Sequence, residues 1–321
     1  MDNSEKLGQM VLAIALFVVL MGVILLVTGR VRRRADLWQS LAFVLPALLL
    51  LVVGLVYPAI RTAYQSFFDR TSENFVGLDN YDFVFTNDAM LTVLRNTAIW
   101  VFLTPIVSTF IGLVYAVLVD RSRVEAAAKA VIFLPMAISL VGASIIWKFV
   151  YEYRPDQQGI EQIGLLNQVL VWLGAEPRQF LIGEPWNTLF LIVIMVWVQA
   201  GFAMTVLSAA IKAIPSDITE AAQLDGLTGV RMFRYITVPS IRPALVVVLT
   251  TIAIGTLKVF DIVRTMTGGQ FGTSVISYEF YTQGFRTLNT GIASSLAVVL
   301  FVLVVPIVVY NVRQMRKAEY R

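Results

Sequence analysis

The chain has no cysteine and no histidine among its 321 residues. The first absence excludes disulfides, thiolate nucleophiles, iron–sulfur clusters and cysteine-ligated zinc. The second excludes imidazole catalysis and haem ligation through histidine. Charge is scarce as well: charged residues make up 14% of the chain against 58% apolar residues, and the mean hydropathy is +0.76. No stretch has the G-x-x-x-x-G-K-S/T form of a phosphate-binding loop. The glycine-rich piece Thr267-Gly268-Gly269-Gln270-Phe271-Gly272 lacks both that spacing and its lysine. If the protein works with ATP, another chain binds it. No carboxylate dyad, Ser–Lys pair or metal constellation falls within the apolar stretches, which argues against an enzyme embedded in the membrane.

Apolar length is what the chain has in abundance, more than one soluble core can hide. Crossing a hydrocarbon core takes about 20 apolar residues in a helix. Stretches near 8–28, 38–60, 94–119, 130–150, 187–211, 244–262 and 290–310 meet that length. They predict an all-α polytopic bundle of about seven transmembrane helices.

Lysine and arginine near span ends resist translocation, so their distribution sets orientation. Arg30 to Arg34, Arg121 to Lys129, the 212–242 loop and the tail from Asn311 together carry 15 of the 25 basic residues. The opposite side, about twice as long, carries 10, and 14 of the 21 acids lie there, among them Asp69, Glu73, Asp79, Asp82, Asp88, Glu152, Asp156, Glu161 and Glu176. The N-terminus is therefore expected outside and the C-terminus in the cytoplasm. The net charge of +4 reflects this topology and gives no reason to expect nucleic-acid binding. The first span reads as a retained helix and not a signal peptide: Leu7 to Thr28 is long for a signal sequence, and its arginines follow it. Residues 1–37 then form an accessory N-terminal helix with a basic linker, and 38–321 a self-sufficient unit.

The most informative segment is the expected cytoplasmic loop containing Glu220-Ala-Ala-Gln-Leu-Asp-Gly226, with Phe233, Val238-Pro239 and Pro243 beyond it. Pro215 suits a helix start, Asp217 can cap with Glu220 three residues on, and Gly226 suits the left-handed position after a helix end. A helix over about 217–225 follows. A second starts near Thr228 or Gly229, with Val230, Phe233 and Ile236 on its apolar side and Arg231 and Arg234 outward, and stops at the prolines. Ala221 and Ala222 are expected at an exposed edge, where their small size lets a partner groove approach the backbone. Glu220 and Asp225 supply charges for such an interface.

This string, at this place in the chain, closely resembles the EAA loop of bacterial ABC import permeases. From about Leu41 onward the resemblance extends through Phe75-Val-Gly-Leu-Asp-Asn-Tyr81, Asn96-Thr97, Phe133-Leu-Pro-Met136 with Trp147-Lys148, and Gly164-Leu-Leu-Asn167 with Leu173-Gly174. It continues in Phe260-Asp261, Thr267-Gly268-Gly269, Thr273, Tyr278 and Tyr281. Gln270 departs from the pattern, since many members have proline there. Within the family the chain looks like the maltose-type sugar permeases, and within those the permeases of α-glucoside systems.

The resemblance implies a non-catalytic subunit with no cofactor of its own. ATP and Mg would sit on two copies of a partner ATPase. A second homologous permease and an extracytoplasmic solute-binding protein would complete the importer. Glu220, Ala221, Ala222, Asp225 and Gly226 would enter the ATPase groove, with Phe233 as an apolar brace beneath. Positions matching the family's sugar path are Gln199 and Phe202 before the loop, and Thr251 and Thr256 after it. A threonine in a membrane helix also satisfies itself on its own i−4 carbonyl, and Gln199 can serve only to join helices.

A self-contained, ion-coupled sugar carrier is the other class. Such carriers tend to keep carboxylates at mid-span, and the spans hold none before Asp261 at an edge, where Lys258 at i−3 fits a helix-end pair. Leu165 to Leu173, with Trp172, reads as an amphipathic helix on the outer surface.

Overall fold

The computed structural model describes residues 44–120, 122–155 and 163–319, together with Gly8, Ala15, Val19 and Gly22. Apart from those four residues, the expected span 8–28 lies outside the described residues, as does the basic cluster Arg30 to Arg34. The chain divides into two compact units, Met1–Tyr64 and Gln65–Arg321.

The first long helix, α1 (Val44–Gln65), is apolar and its side chains are exposed, as suits a surface solvated by lipid. The second unit contains α2 (Asp79–Thr86), α3 (Asp88–Val119), α4 (Glu125–Phe133), α5 (Leu140–Val150), α6 (Leu165–Trp172) and α7 (Trp186–Lys212). After these come α8 (Ser216–Leu224), α9 (Gly229–Ser240), α10 (Arg242–Leu257), α11 (Asp261–Met266), α12 (Ile276–Tyr281) and α13 (Thr290–Glu319). No strand longer than an isolated bridge, Phe68 with Phe75, occurs among the described residues. Four of the described helices, α1, α3, α7 and α13, are individually long and apolar enough to cross a bilayer, and two bent pairs raise the number to six.

One bent pair corrects the expected span 130–150. The chain turns by 103° between Glu125–Ala137 and Leu140–Val150. Pro135 lies in a 3₁₀ turn over Leu134–Ala137, Ile138 and Ser139 are extended, and the Ser139 hydroxyl caps α5 by accepting from the Gly142 N–H at 3.1 Å. A proline that cannot donate, followed by a serine cap, ends one helix and starts another. The second pair bends by 69° between Gly229–Ser240 and Arg242–Leu257, where Pro243 fits the first turn of α10. The expected span 244–262 also ends early: α10 stops at Leu257 and α11 begins at Asp261, so Lys258 and Asp261 lie across a helix break and form no ion pair.

The spine of the second unit is α3 packed on α7. Gly112 meets Ala203 and Met204 so closely that a methyl group there would lie 2.4 Å from the Ala203 Cβ and 2.7 Å from the Met204 nitrogen. Two buried clusters line this seam. Trp100, Leu191, Ile194, Met195 and Val198 pack with Ile262 and Val263 at one end. Ala116, Ala203, Met204 and Leu207 pack with Ile241, Val248 and Ile252 at the other.

At the end of α7 away from α8, four buried asparagines hold the connecting segments. A buried carboxamide can bind two backbone groups at once and so fix a loop that has no ladder of its own. Asn80 donates to the Ser66 and Phe68 carbonyls, at 2.9 and 2.7 Å. Asn96 donates to the Gly272 and Ser274 carbonyls, and its neighbour Thr97 accepts from the Ile276 N–H at 3.0 Å. Asn167 spans Glu152 and Arg178. Asn187 donates to the Phe271 carbonyl at 2.6 Å. Asn96→Leu strands two carbonyls, at a cost of about 1–3 kcal/mol. The expected result is faster amide hydrogen exchange across residues 270–276 than in the wild type, with exchange in α7 unchanged.

Outside this core, Asp69 gathers the Thr71 and Glu73 N–H groups, the Thr71 hydroxyl and the Asn74 amide. The Asn74 hydrogen bond leads in holding its carboxyl at about 2, below the ordinary carboxylate range.

Candidate functional site

The Glu220 segment forms the helical hairpin that its residues predict. Helix α8 ends in a Schellman motif: the Gly226 N–H donates to the Gln223 carbonyl at 3.0 Å, and the Leu227 N–H to the Ala222 carbonyl at 2.9 Å. Gly226 has φ +82°, a backbone conformation for which glycine carries no Cβ penalty. Asp225 closes the helix, and the chain turns into α9.

Three details differ from expectation. Asp217 makes no capping bond; Pro215 occupies the cap position and Asp217 lies in the first turn, where its charge still favours the helix N-terminus. Ala221 is exposed, but Ala222 is buried and packs inward, because adjacent helical residues cannot share a face. Val230 is 81% exposed, while Phe233 and Ile236 are half-buried. Phe233 begins a π-helical turn over Phe233–Thr237, closed by the Val238 N–H on the Phe233 carbonyl, so the three-residue spacing does not carry through α9.

The outward side of the hairpin thus presents Glu220, Ala221, Asp225 and Gly226, with Leu224 at 90% exposure and Val230 at 81%. Leu224 was not singled out in the sequence, and Val230 was expected on the apolar side of the second helix. These two aliphatic side chains lie exposed beside the Glu220 and Asp225 carboxylates.

The four sugar-path positions are not brought together. Gln199 and Phe202 are half-buried on α7, and Phe202 packs against the Ala203, Leu207 and Ile252 cluster. On α10, Thr251 is exposed, whereas Thr256 is buried and donates to the Ile252 carbonyl at 2.7 Å. The Thr256 hydroxyl is therefore satisfied by its own helix. No side-chain hydrogen bond joins any two of these four residues.

A group that sequence reasoning treated only as topogenic charge lies at the root of the hairpin. Lys129 contacts Glu125 at 2.7 Å and Asp120 at 3.6 Å. Lys212 contacts Asp120 at 3.3 Å and also pairs with Glu125. Lys129 donates to the Ser208 hydroxyl, which lies 3.5 Å from Asp120. The Asp120 side chain is 8% exposed, so this carboxylate depends on its cations. The spacing of Glu125 and Lys129, four apart on a helix, was legible; their pairing with Lys212 was not.

Residues 93–317 match the family described as "Binding-protein-dependent transport system inner membrane component". The chain belongs to this family. It is 50% identical over 277 residues to the osmoprotective compounds uptake permease protein GgtC of Synechocystis sp., covering 86% of this chain and 99% of the relative. It is 44% identical over 288 residues to the alpha-glucoside transport system permease protein AglF of Rhizobium meliloti, covering 89% and 85%. Its fold is similar to that of a chain in a bacterial ABC transporter that imports the acidic polysaccharide alginate, with TM-score 0.74, 23% identity, and coverage of 88% and 99%. The chain is thus a membrane-embedded, non-catalytic permease component of an ABC transporter.

Proposed function

We propose that this chain carries an α-glucoside or related oligosaccharide inward as one permease half of an ATP-driven importer. The observation that carries the reading is the α8–Gly226–α9 hairpin, whose contact residues Glu220, Ala221, Leu224 and Asp225 stand free at the end of a membrane helix. Its occupant is an ATPase subunit, present in two copies, each binding ATP and Mg. A second homologous permease completes the pathway, and an extracytoplasmic solute-binding protein delivers the sugar. The hairpin then lies in the cytoplasm, with the N-terminus outside and the C-terminus inside, in agreement with the basic-residue count. Gln199, Phe202 and Thr251 are the retained candidates for the sugar path. Thr256, with its proton committed to the Ile252 carbonyl, can serve there only as an acceptor. The α-glucoside class is supported by the name and identity of the Rhizobium meliloti relative.

Uptake of radiolabelled maltose by cells expressing the full importer tests this reading against an ion-coupled carrier. Uptake is expected to survive a protonophore and to vanish when arsenate depletes ATP. Loss with the protonophore and persistence in arsenate would overturn it.

A further inference from the structure

We propose that Asp120, Glu125, Lys129 and Lys212 are positioning residues that tie the root of α8 to α4, so that displacement of α8 is delivered to the bent pair α4–α5. The proposal rests on the reading of α8 as the ATPase-contacting helix.

The cluster joins three elements. Asp120 closes α3, Glu125 opens α4, and Lys212 ends α7 only four positions before Ser216 starts α8. Each lysine contacts both acids, making a closed, charge-balanced set in which no carboxylate depends on one partner. Ser208, one turn before Lys212 on α7, joins through Lys129. Any movement of α8 that drags the end of α7 therefore pulls on the first turn of α4. A floppy connection at this point would let α8 move without the bundle.

What α4 can transmit follows from the bend. At the break Ile138 and Ser139 are extended: the Ile138 N–H closes the preceding turn on Pro135 and the Ser139 carbonyl accepts from Ala143, so each side is held by its own bonds and the angle between them can change while α4 and α5 stay intact. Helix α5 carries Trp147, in edge contact with Trp197 of α7, and leads into Tyr151, which contacts Phe180 and Phe190. A pull at Glu125 is thus linked through one hinge to the aromatic cluster at the far end of α7.

The test uses the assembled importer, with its second permease and ATPase subunits, in lipid nanodiscs. Because the chain has no cysteine, introduced cysteines are unique within it. One nitroxide pair, Gln223→Cys with Phe285→Cys, reports α8; a second, Val131→Cys with Phe285→Cys, reports α4, and all three positions are exposed. ATP with Mg should shift both distance distributions in the otherwise wild-type chain. In Lys212→Met the α8 shift should persist while the shifted fraction at α4 falls about tenfold. Lys212→Arg, which keeps the charge, should restore it.

An unchanged α4 shift in Lys212→Met, or its loss in Lys212→Arg as well, would overturn the proposal. So would loss of both shifts in Lys212→Met, which would place the defect in ATPase docking. If ATP moves neither pair before any charge is altered, the reading of α8 itself fails, and the proposal with it.

Discussion

In Gly226→Asp, the permease is expected to lose its ATPase while keeping its fold. Gly226 sits at φ +82°, where a residue with a Cβ pays about 1–2 kcal/mol. A Cβ there would meet nothing within 4 Å, so the penalty comes from the backbone and not from a clash at that atom. Aspartate adds a second carboxylate beside Asp225 at a helix C-terminus, where the helix dipole disfavours negative charge by about 0.3–1 kcal/mol. Both effects weaken the bonds from Gly226 to Gln223 and from Leu227 to Ala222 that hold the corner. With the corner loosened, Glu220 and Leu224 of α8 no longer form one surface with Val230 of α9. ATPase recovered with the tagged permease should fall by about tenfold or more, as a loss of about 1.4 kcal/mol or more requires. The size-exclusion profile of the permease itself should not change. Gly226→Asn, which bears a similar backbone cost but adds no charge, should retain more ATPase than Gly226→Asp. Equal loss in the two variants would contradict this account.

Gly112→Leu is expected to fail earlier, at the bundle. A methyl group at Gly112 already falls 2.4 Å from the Ala203 Cβ and 2.7 Å from the Met204 backbone nitrogen. The obstructing atoms include the backbone of α7, which cannot rotate away like a long side chain. The α3–α7 spine must therefore open, and both flanking clusters lose contacts. Overpacking typically costs about 1–3 kcal/mol, and the four added carbons put Gly112→Leu at the upper end. The measurement is the thermal unfolding midpoint in detergent. It should drop in the order wild type, Gly112→Ala, Gly112→Leu. Permease yield and ATPase association should then fall together, unlike in Gly226→Asp. A Gly112→Leu chain as stable as the wild type would show that α3 and α7 do not pack as described.

The contrast between these two glycines shows what could be read from the chain alone. Gly226 was legible because a helix stop is local: a polar helix, a glycine and a new apolar run lie within a dozen residues. Gly112 was not, since its neighbours Ala203 and Met204 are far away in sequence. The same divide runs through the rest of the molecule. Apolar length located α1, α3, α7 and α13, but it hid the 103° bend, because Pro135 and Ser139 sit inside a stretch hydrophobic enough to pass for one span. Residue types placed the hairpin of α8 and α9, whereas the inward turn of Ala222 depends on which side of α8 meets its neighbours. Leu224 and Val230 look like ordinary apolar residues in sequence, and only the fold shows how exposed they are. Asp120 and Lys212 were legible as loop charges; their ion pairs close between residues brought together by folding.

The most direct test of the central claim is to purify the tagged protein from its native host in mild detergent and identify bound proteins by mass spectrometry. The account predicts recovery of a P-loop ATPase and a second permease, with the ATPase lost in Gly226→Asp. A well-folded chain that repeatedly emerges alone, with neither subunit, would contradict it.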